Sequence, residues 1–575
     1  MRTELPGRRV GLDAATRRNL ELTRNLHTGG LRGSLLGVLD ETRTPMGARV
    51  LRRMLGQPLR DLAELRCRQA TIGALVERGP LRVSLASTLP GAGDLERLIS
   101  RVTQGLAGPR DFLTLATALR AVASLGRCLE EAEQTNLAGI GAAIDTCPEL
   151  LALIESAVED DDAGTARLQA GFSPDLDAAA AATRGTRDWL LGLEPVERAR
   201  TGIRSLKVGY NKVFGYYIEV SRPNLALVPS EYVRKQTIAN GERYITAELK
   251  DAETRILAAD EEIEALERVA LERLSACVTS TAGRLLATAG QVASLDAYLA
   301  LAEVAARARW VAPTLDDSDV LAIAAGRHPV VEANLGGEAF IPNDCCLGGD
   351  QPRLLVVTGP NMGGKSTYLR QVALIVLLAQ IGSYVPAASA RIGLVDRIFT
   401  RVGAHDDLAG GASTFMVEMI ETAGILHQAT RRSLVVLDEV GRGTSTHDGI
   451  AIARAVLEDI HGRIGARTLF ATHYLELTSL AATLSGVANV HVAALESAGR
   501  VIFLYAVRPG PADRAYGIQV ARLAGLPSWV ANRAEDLLAH DLAAKTGLNG
   551  KASTASSIAD PSAPAYQLVF DGFLA

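Results

Sequence analysis

Residues 354–370 read LLVVTGPNMGGKSTYLR. An aliphatic run ending in Thr358 is followed by Gly359, four residues, then Gly364, Lys365 and Ser366. That spacing fits G-x-x-x-x-G-K-[ST] between a predicted strand and a predicted helix. The residue types have physical reasons. Glycines let backbone N–H groups wrap phosphate oxygens, a lysine reaches the outer phosphates, and a serine hydroxyl can ligate Mg²⁺. Further along, the aliphatic run Leu434–Leu437 ends in Asp438 and Glu439. Asp438 at that strand end would hold the Mg²⁺ shell, and Glu439 would orient or activate an attacking water. His473 closes RTLFATH (467–473), where a polar strand tip can face the γ-phosphate. The expected chemistry is hydrolysis at the γ-phosphate of a bound nucleotide, with Mg²⁺.

Around this stretch, short aliphatic runs at 354–358, 433–439 and 467–473 alternate with helical patterns, as in a largely parallel α/β sheet. Residues 1–190 are rich in Leu, Ala and Arg and read as mostly helical. From Gly241 to Gly283 lie 41 residues with no Gly and no Pro, whose apolar positions recur at helical spacing. A helix of that length spans on the order of 60 Å and suits a lever. Between these helical regions, LKVGYNKVFGYYIEVS (206–221) reads as a β-hairpin. Residues 542–567, rich in Ala, Ser, Thr and Pro, read as a mobile tail.

The 575 residues carry 60 basic against 65 acidic side chains, a net charge of -5. Any nucleic-acid contact must therefore come from a local patch. One exists. From Arg198 to Arg243 there are nine basic residues against three acidic ones, and three of the chain's seven lysines fall there. Such a patch grips phosphate without reading base edges. Six scattered cysteines lack zinc-ligand spacing, which predicts reduced thiols and a cytoplasmic protein. The N-terminus has no apolar signal segment, and no apolar run free of polar breaks reaches membrane-span length, so no membrane partner is expected.

Four motifs together, TGPNMGGKST (358–367), GGASTFMVEM (410–419), DEVGRGTSTHDG (438–449) and ATHYLEL (471–477), resemble the MutS family of DNA mismatch-repair ATPases. The likeness extends over about residues 8–540. LDAATRRNLELT (12–23) and TPMGARVLRRMLGQPL (44–59) look like the start of the family's core lever. TGIRSLKVGYNKVFGYYIEVS (201–221) and RKQTIANGERYITAELK (234–250) look like its DNA clamp, and AYGIQVARLAGLP (515–527) like its C-terminal helix-turn-helix.

The resemblance implies a multidomain fold. A helical core or lever (1–190 and 249–312) carries an inserted α/β clamp (191–248). An α/β ABC-type P-loop ATPase with a helix-turn-helix dimerisation element follows (313–541), then the tail (542–575). It implies nucleotide contacts from Gly359, Pro360, Asn361, Met362, Gly363, Gly364, Lys365, Ser366 and Thr367. Phe340 would stack on adenine, and Ser413 and Thr414 would reach the other subunit's nucleotide. Catalysis would fall to Lys365, Glu439 and His473, with Ser366 and Asp438 on the metal. Phosphate contacts of the clamp would come from Arg204, Lys207, Lys212, Arg234, Lys235 and Arg243. Ala412 and Ala515 depart from the family's usual residues. The implied partners are double-stranded DNA, a second copy of the chain, a MutL-type repair protein and the replication clamp.

The family reads mismatches with a Phe-x-Glu motif in an N-terminal domain, and no Phe-x-Glu occurs in these 575 residues. The expectation is a chain without the mismatch-binding and connector domains. It is either a shortened mismatch-repair protein or a paralogue that binds branched or junction DNA independently of mismatches. A DNA-binding accessory subunit with an incidental ATPase is the third alternative. Paralogues bearing a Smr nuclease fit poorly, because this chain has a clamp and no such domain.

Overall fold

The computed structural model describes residues 7–131, 135–161, 164–211, 213, 215–403, 413–497, 500–513 and 516–546. Lys212, Ala412, Ala515 and the tail from 547 onward lie outside them. The chain forms two compact units: 1–87, 128–141 and 293–575 in the first, 88–127 and 142–292 in the second. The helical region predicted for 1–190 is thus shared between both.

The first unit is built on a seven-stranded sheet. Its order is Gly11–Leu12, Arg397–Arg401, Leu434–Asp438, Arg467–Ala471, Leu354–Thr358, Val487–Ser497 and Arg500–Pro509. All neighbours run parallel except the last pair, a hairpin. The three central strands are buried along their whole length, which is why they read as unbroken aliphatic runs rather than alternating ones. RTLFATH ends its strand at Ala471, two residues before His473. Helix Lys365–Gln380 starts directly behind the central strand, with Gly364 as its left-handed N-cap residue. A smaller four-stranded sheet, Asn343–Leu347, Leu321–Gly326, Ser389–Gly393 and Thr314–Asp316, lies in the same unit.

The outermost strand of the main sheet comes from the N-terminal region, pairing Gly11 and Leu12 with Arg397 and Ile398. The next helix, Ala14–Asn19, is capped by Asp13, whose carboxylate accepts from the Thr16 amide at 2.6 Å. Thr16 and Asn19 are buried and take over the pairing. Thr16 Oγ1 accepts from the Thr400 amide (2.9 Å), and Asn19 Nδ2 donates to the Thr400 carbonyl (2.9 Å). Two side chains thereby satisfy a strand edge that no further backbone reaches.

The second unit contains the predicted hairpin, Lys207–Asn211 with Gly215–Ser221. It is extended by Gly241–Ile245 and Val233–Ile238 into a four-stranded antiparallel sheet. One face packs Ile218, Val220 and Tyr244 against Leu193, Ile203, Leu206, Tyr232 and Leu249. The opposite face carries the cross-strand row Lys207, Glu219, Arg243 and Gln236.

Helix Ala247–Ala308 is continuous over 62 residues, about 90 Å at 1.5 Å per residue. It starts later than the glycine-free stretch, because Gly241–Ile245 is committed to the sheet. It runs on through Gly283 and Gly290. Each helical glycine costs about 1 kcal/mol, outweighed here by burial of Leu285, Ala289, Val292, Leu295 and Leu299. Windows of this helix and of Pro109–Glu130 match a membrane span in composition, yet 67% and 50% of them are buried within the fold. All six cysteines are free thiols. The last helix among the described residues, Ser528–Thr546, extends into the segment read as tail.

Candidate nucleotide site and clamp

The candidate nucleotide site forms where the central strands of the first unit end. Leu354–Thr358 delivers the loop 359–364, a turn over Asn361–Gly363 follows, and Lys365 and Ser366 open the helix. Lys365 is buried, and its Nζ donates to the Gly359 carbonyl at 2.7 Å. Burial pushes its pKa below the ordinary lysine range, against the opposing pull of Glu439 and Asp438. Ser366 Oγ donates to Asp438 Oδ2 at 2.5 Å, so two elements 72 residues apart in sequence bring a hydroxyl and a carboxylate into contact. Asp438 Oδ1 is buried without a hydrogen-bond partner. Burial raises the Asp438 pKa, opposed by the Ser366 hydroxyl. A buried carboxylate oxygen with nothing to accept from is the environment a divalent cation relieves, and a hydroxyl beside it suits Mg²⁺. The residues fit that ion.

Glu439 follows with φ +59, a left-handed conformation for a residue with a side chain. Its amide donates to the Ala471 carbonyl at 2.9 Å. One carboxylate oxygen meets His473 Nε2, and the other meets Arg442 Nη1 at 2.5 Å. Burial alone would raise the Glu439 pKa. The His473 hydrogen bond, with the positive charge of His473, Arg442 and Lys365, outweighs it and holds the group at about 2. Such a carboxylate is ionised throughout the physiological range and is a weak base. It is better suited to orienting a water than to removing its proton. Glu439, Arg442, Thr472, His473 and Tyr474 line one cavity of about 310 Å³.

The remaining nucleotide candidates are spread around this centre. Pro360 and Gly363 are buried, Gly359 and Thr367 half-buried, and Met362 exposed. Asn361 lies in the short turn. Phe340 is half-buried in the loop before strand Asn343–Leu347. Ser413 is exposed at the N-cap of helix Thr414–Gln428, its Oγ accepting from the Met416 amide at 3.2 Å.

Sequence reading missed Tyr505. A Cβ on Gly364 would sit 3.4 Å from its Cδ1, so the ring flanks the phosphate loop. Tyr505 has φ +53, and Asn343 holds it by donating to its carbonyl (2.9 Å) and accepting from the Val507 amide (2.6 Å). In sequence it is one aromatic in an ordinary strand pattern. Only Asn343, three residues after Phe340, could have hinted at it.

In the second unit Arg204, Lys207, Arg234 and Lys235 are exposed. Arg234 pairs loosely with Glu242 at 3.4 Å. Arg243 is different. Its Nε bonds Glu219 at 3.0 Å, its Nη1 bonds Gln236 at 3.1 Å, and its guanidinium lies 4.1 Å from the centre of the Tyr217 ring. That side chain is committed to its own sheet, which charge counting could not reveal.

Comparison with known proteins gives two family matches, MutS domain III over residues 15–302 and MutS domain V over residues 355–541. The DNA mismatch repair protein MutS of Symbiobacterium thermophilum is 50% identical over 540 residues, covering 93% of this chain and 62% of that protein. The corresponding protein of Rhodopirellula baltica is 47% identical over 558 residues, covering 94% and 63%. That of Chloroflexus aurantiacus is 50% identical over 556 residues, covering 92% and 58%. The chain therefore spans about three fifths of the length of these relatives. The domain V match takes in Lys365, Ser366, Asp438, Glu439 and His473, and the domain III match takes in the basic sheet, so both candidate sites fall inside regions of common descent. The chain belongs to the MutS family.

Proposed function

We propose that this chain is an ATP-hydrolysing DNA-repair protein of the mismatch-repair type, gripping duplex DNA as a dimeric clamp. The carrying observation is the contact between Ser366 Oγ and Asp438 Oδ2 at 2.5 Å, with Glu439 as the next residue, tied to His473. Lys365 and the loop amides would bind the phosphates, and Ser366 with Asp438 would hold Mg²⁺. That ion supplies charge neutralisation across the phosphates. Glu439 would orient water once the oxygen now held by Arg442 exchanges that partner for the water, and His473 keeps the carboxylate aimed. Phe340 would stack on the base, and Tyr505 flanks the phosphate loop at Gly364. Ser413 and Thr414, at an exposed helix N-terminus, reach the nucleotide of a second copy, and the C-terminal helices Gly517–Leu523 and Ser528–Thr546 form a helix-turn-helix that joins the copies. The exposed Arg204, Lys207, Arg234 and Lys235 supply phosphate contacts.

Mixing two inactive proteins tests the shared site. Ser413→Ala with Lys365→Ala leaves one of the heterodimer's two sites intact, so activity above either variant alone is expected. Strict additivity at high protein concentration rejects the composite site. Stimulation of turnover by duplex DNA tests the clamp reading.

A further inference from the structure

Arg401, at the end of strand Arg397–Arg401, and Glu418, on helix Thr414–Gln428, are each only 4% exposed. They face each other at 3.3 Å. The second oxygen of Glu418 accepts the Gly441 amide at 2.5 Å. Gly441 lies two residues beyond Glu439 and has φ +91, and a Cβ there would come within 2.6 Å of the Gly449 carbonyl oxygen. Its own carbonyl accepts from the Tyr474 hydroxyl at 2.9 Å. The turn that carries Glu439 is therefore tied at both polar groups of one glycine. One of the two ties is a buried carboxylate, and an ionised acceptor on a backbone N–H is among the stronger hydrogen bonds available.

The same carboxylate stands four residues inside the helix that Thr414 opens. Arg401 extends the network outward: its Nε faces Glu421 at 3.3 Å, and Glu421 faces Arg18 on helix Ala14–Asn19 at 3.4 Å. The buried pair thus joins three elements: the turn beside Glu439, the helix headed by Ser413, and the N-terminal helix on the sheet edge.

We infer that Glu418 is a positioning residue for Glu439. It fixes the turn through the Gly441 amide, with Arg401 as its counter-charge. The inference rests on the ATPase reading above and deepens it. A shift of the helix headed by Ser413 is passed by Glu418 to the turn that aims Glu439. The residue offered to one nucleotide and the carboxylate serving another are then linked within one chain.

Removal of Arg401 alone leaves Glu418 buried without its counter-charge, and removal of Glu418 alone leaves Arg401 with Glu421 only, so the test uses paired changes. Arg401→Met with Glu418→Met removes both charges and the acceptor. Arg401→Met with Glu418→Gln removes both charges and keeps an acceptor for Gly441. The Met pair should lower kcat by at least about tenfold while the Kd for ATP stays within about twofold, and the Gln pair should recover at least about fivefold of that loss. Hydrogen exchange of the peptide spanning 438–444 needs no turnover, and should be faster in the Met pair than in the Gln pair. Tyr474→Phe keeps both buried charges and unties the carbonyl side of Gly441. It should reproduce the kcat-against-Kd split in milder form. Equal kcat and equal exchange in the two pairs, or Kd weakening in step with kcat, overturns the inference. So does a Tyr474→Phe protein with unaltered turnover and exchange. A wild-type chain that fails to hydrolyse ATP defeats the function reading, and the exchange comparison then decides the positioning claim alone.

Discussion

Asp296 accepts both the amide and the hydroxyl of Thr44, at 2.8 and 2.7 Å, and its other oxygen accepts the Arg43 amide at 2.8 Å. Asp296 is completely buried, and Thr44 is the N-cap of helix Pro45–Gly56. A carboxylate from the long helix thus closes the start of a second helix, where negative charge also meets the positive end of the helix dipole.

Asp296→Ala strands three donors in a dry site, and the expected loss is about 3 kcal/mol of stability. Asp296→Asn keeps one acceptor and should lose roughly half as much. Denaturant titration of the two proteins checks the order.

At the proposed nucleotide site, Lys365→Ala should weaken ATP binding, because Lys365 would meet phosphate charge before any bond breaks. Glu439→Gln should bind ATP normally and lose turnover by about a hundredfold or more, because Glu439 would act on the water rather than on the bound nucleotide. Binding and single-turnover measurements separate the two. Wild-type turnover by Glu439→Gln removes it from the mechanism.

His328 caps helix Pro329–Asn334 by accepting the Val331 amide on Nδ1 at 3.3 Å, which requires an unprotonated nitrogen. Burial, and then the charge of Arg370, pull its pKa from 6.5 to about 3. Between those values the unfolded chain binds a proton that the folded chain refuses. Stability therefore falls as pH drops below 6.5, by about 2 kcal/mol at pH 5. His328→Asn retains a cap acceptor without the titration. Its stability should depend less on pH between 7 and 5, and parallel wild-type and variant curves over that range count against the assignment.

Charge reversal at Arg204, Lys207, Arg234 and Lys235 should weaken duplex binding by more than about tenfold and flatten the log–log salt slope by about three to four. Arg243→Ala should instead cost its own four-stranded sheet about 1 kcal/mol, with little change in that slope. A salt series on both proteins distinguishes grip from support.

Much of this site was legible because its parts are local patterns. The phosphate loop, the Asp438–Glu439 strand end and His473 each follow a buried aliphatic run, and burial on both sheet faces imposes that run. Tyr505 and Glu418 were not legible, since their roles come from neighbours far away in sequence, Gly364 and Gly441. Arg243 illustrates the converse: a count of charges sees a cation, whereas the register puts it opposite Glu219. The N-terminal edge strand is only two residues long and carries no periodicity to read.

That short strand has a consequence for how the protein can be recombined. Gly11, Leu12, Thr16 and Asn19 close the exposed margin of a sheet whose other strands begin beyond residue 350. An open margin of this kind recruits foreign chains. A chimera that exchanged only the stretch from 354 onward between relatives would inherit a seam cut for another protein's version of residues 11–19. Residues 11–19 and the sheet they border are in this sense one heritable piece, and grafts should move them together.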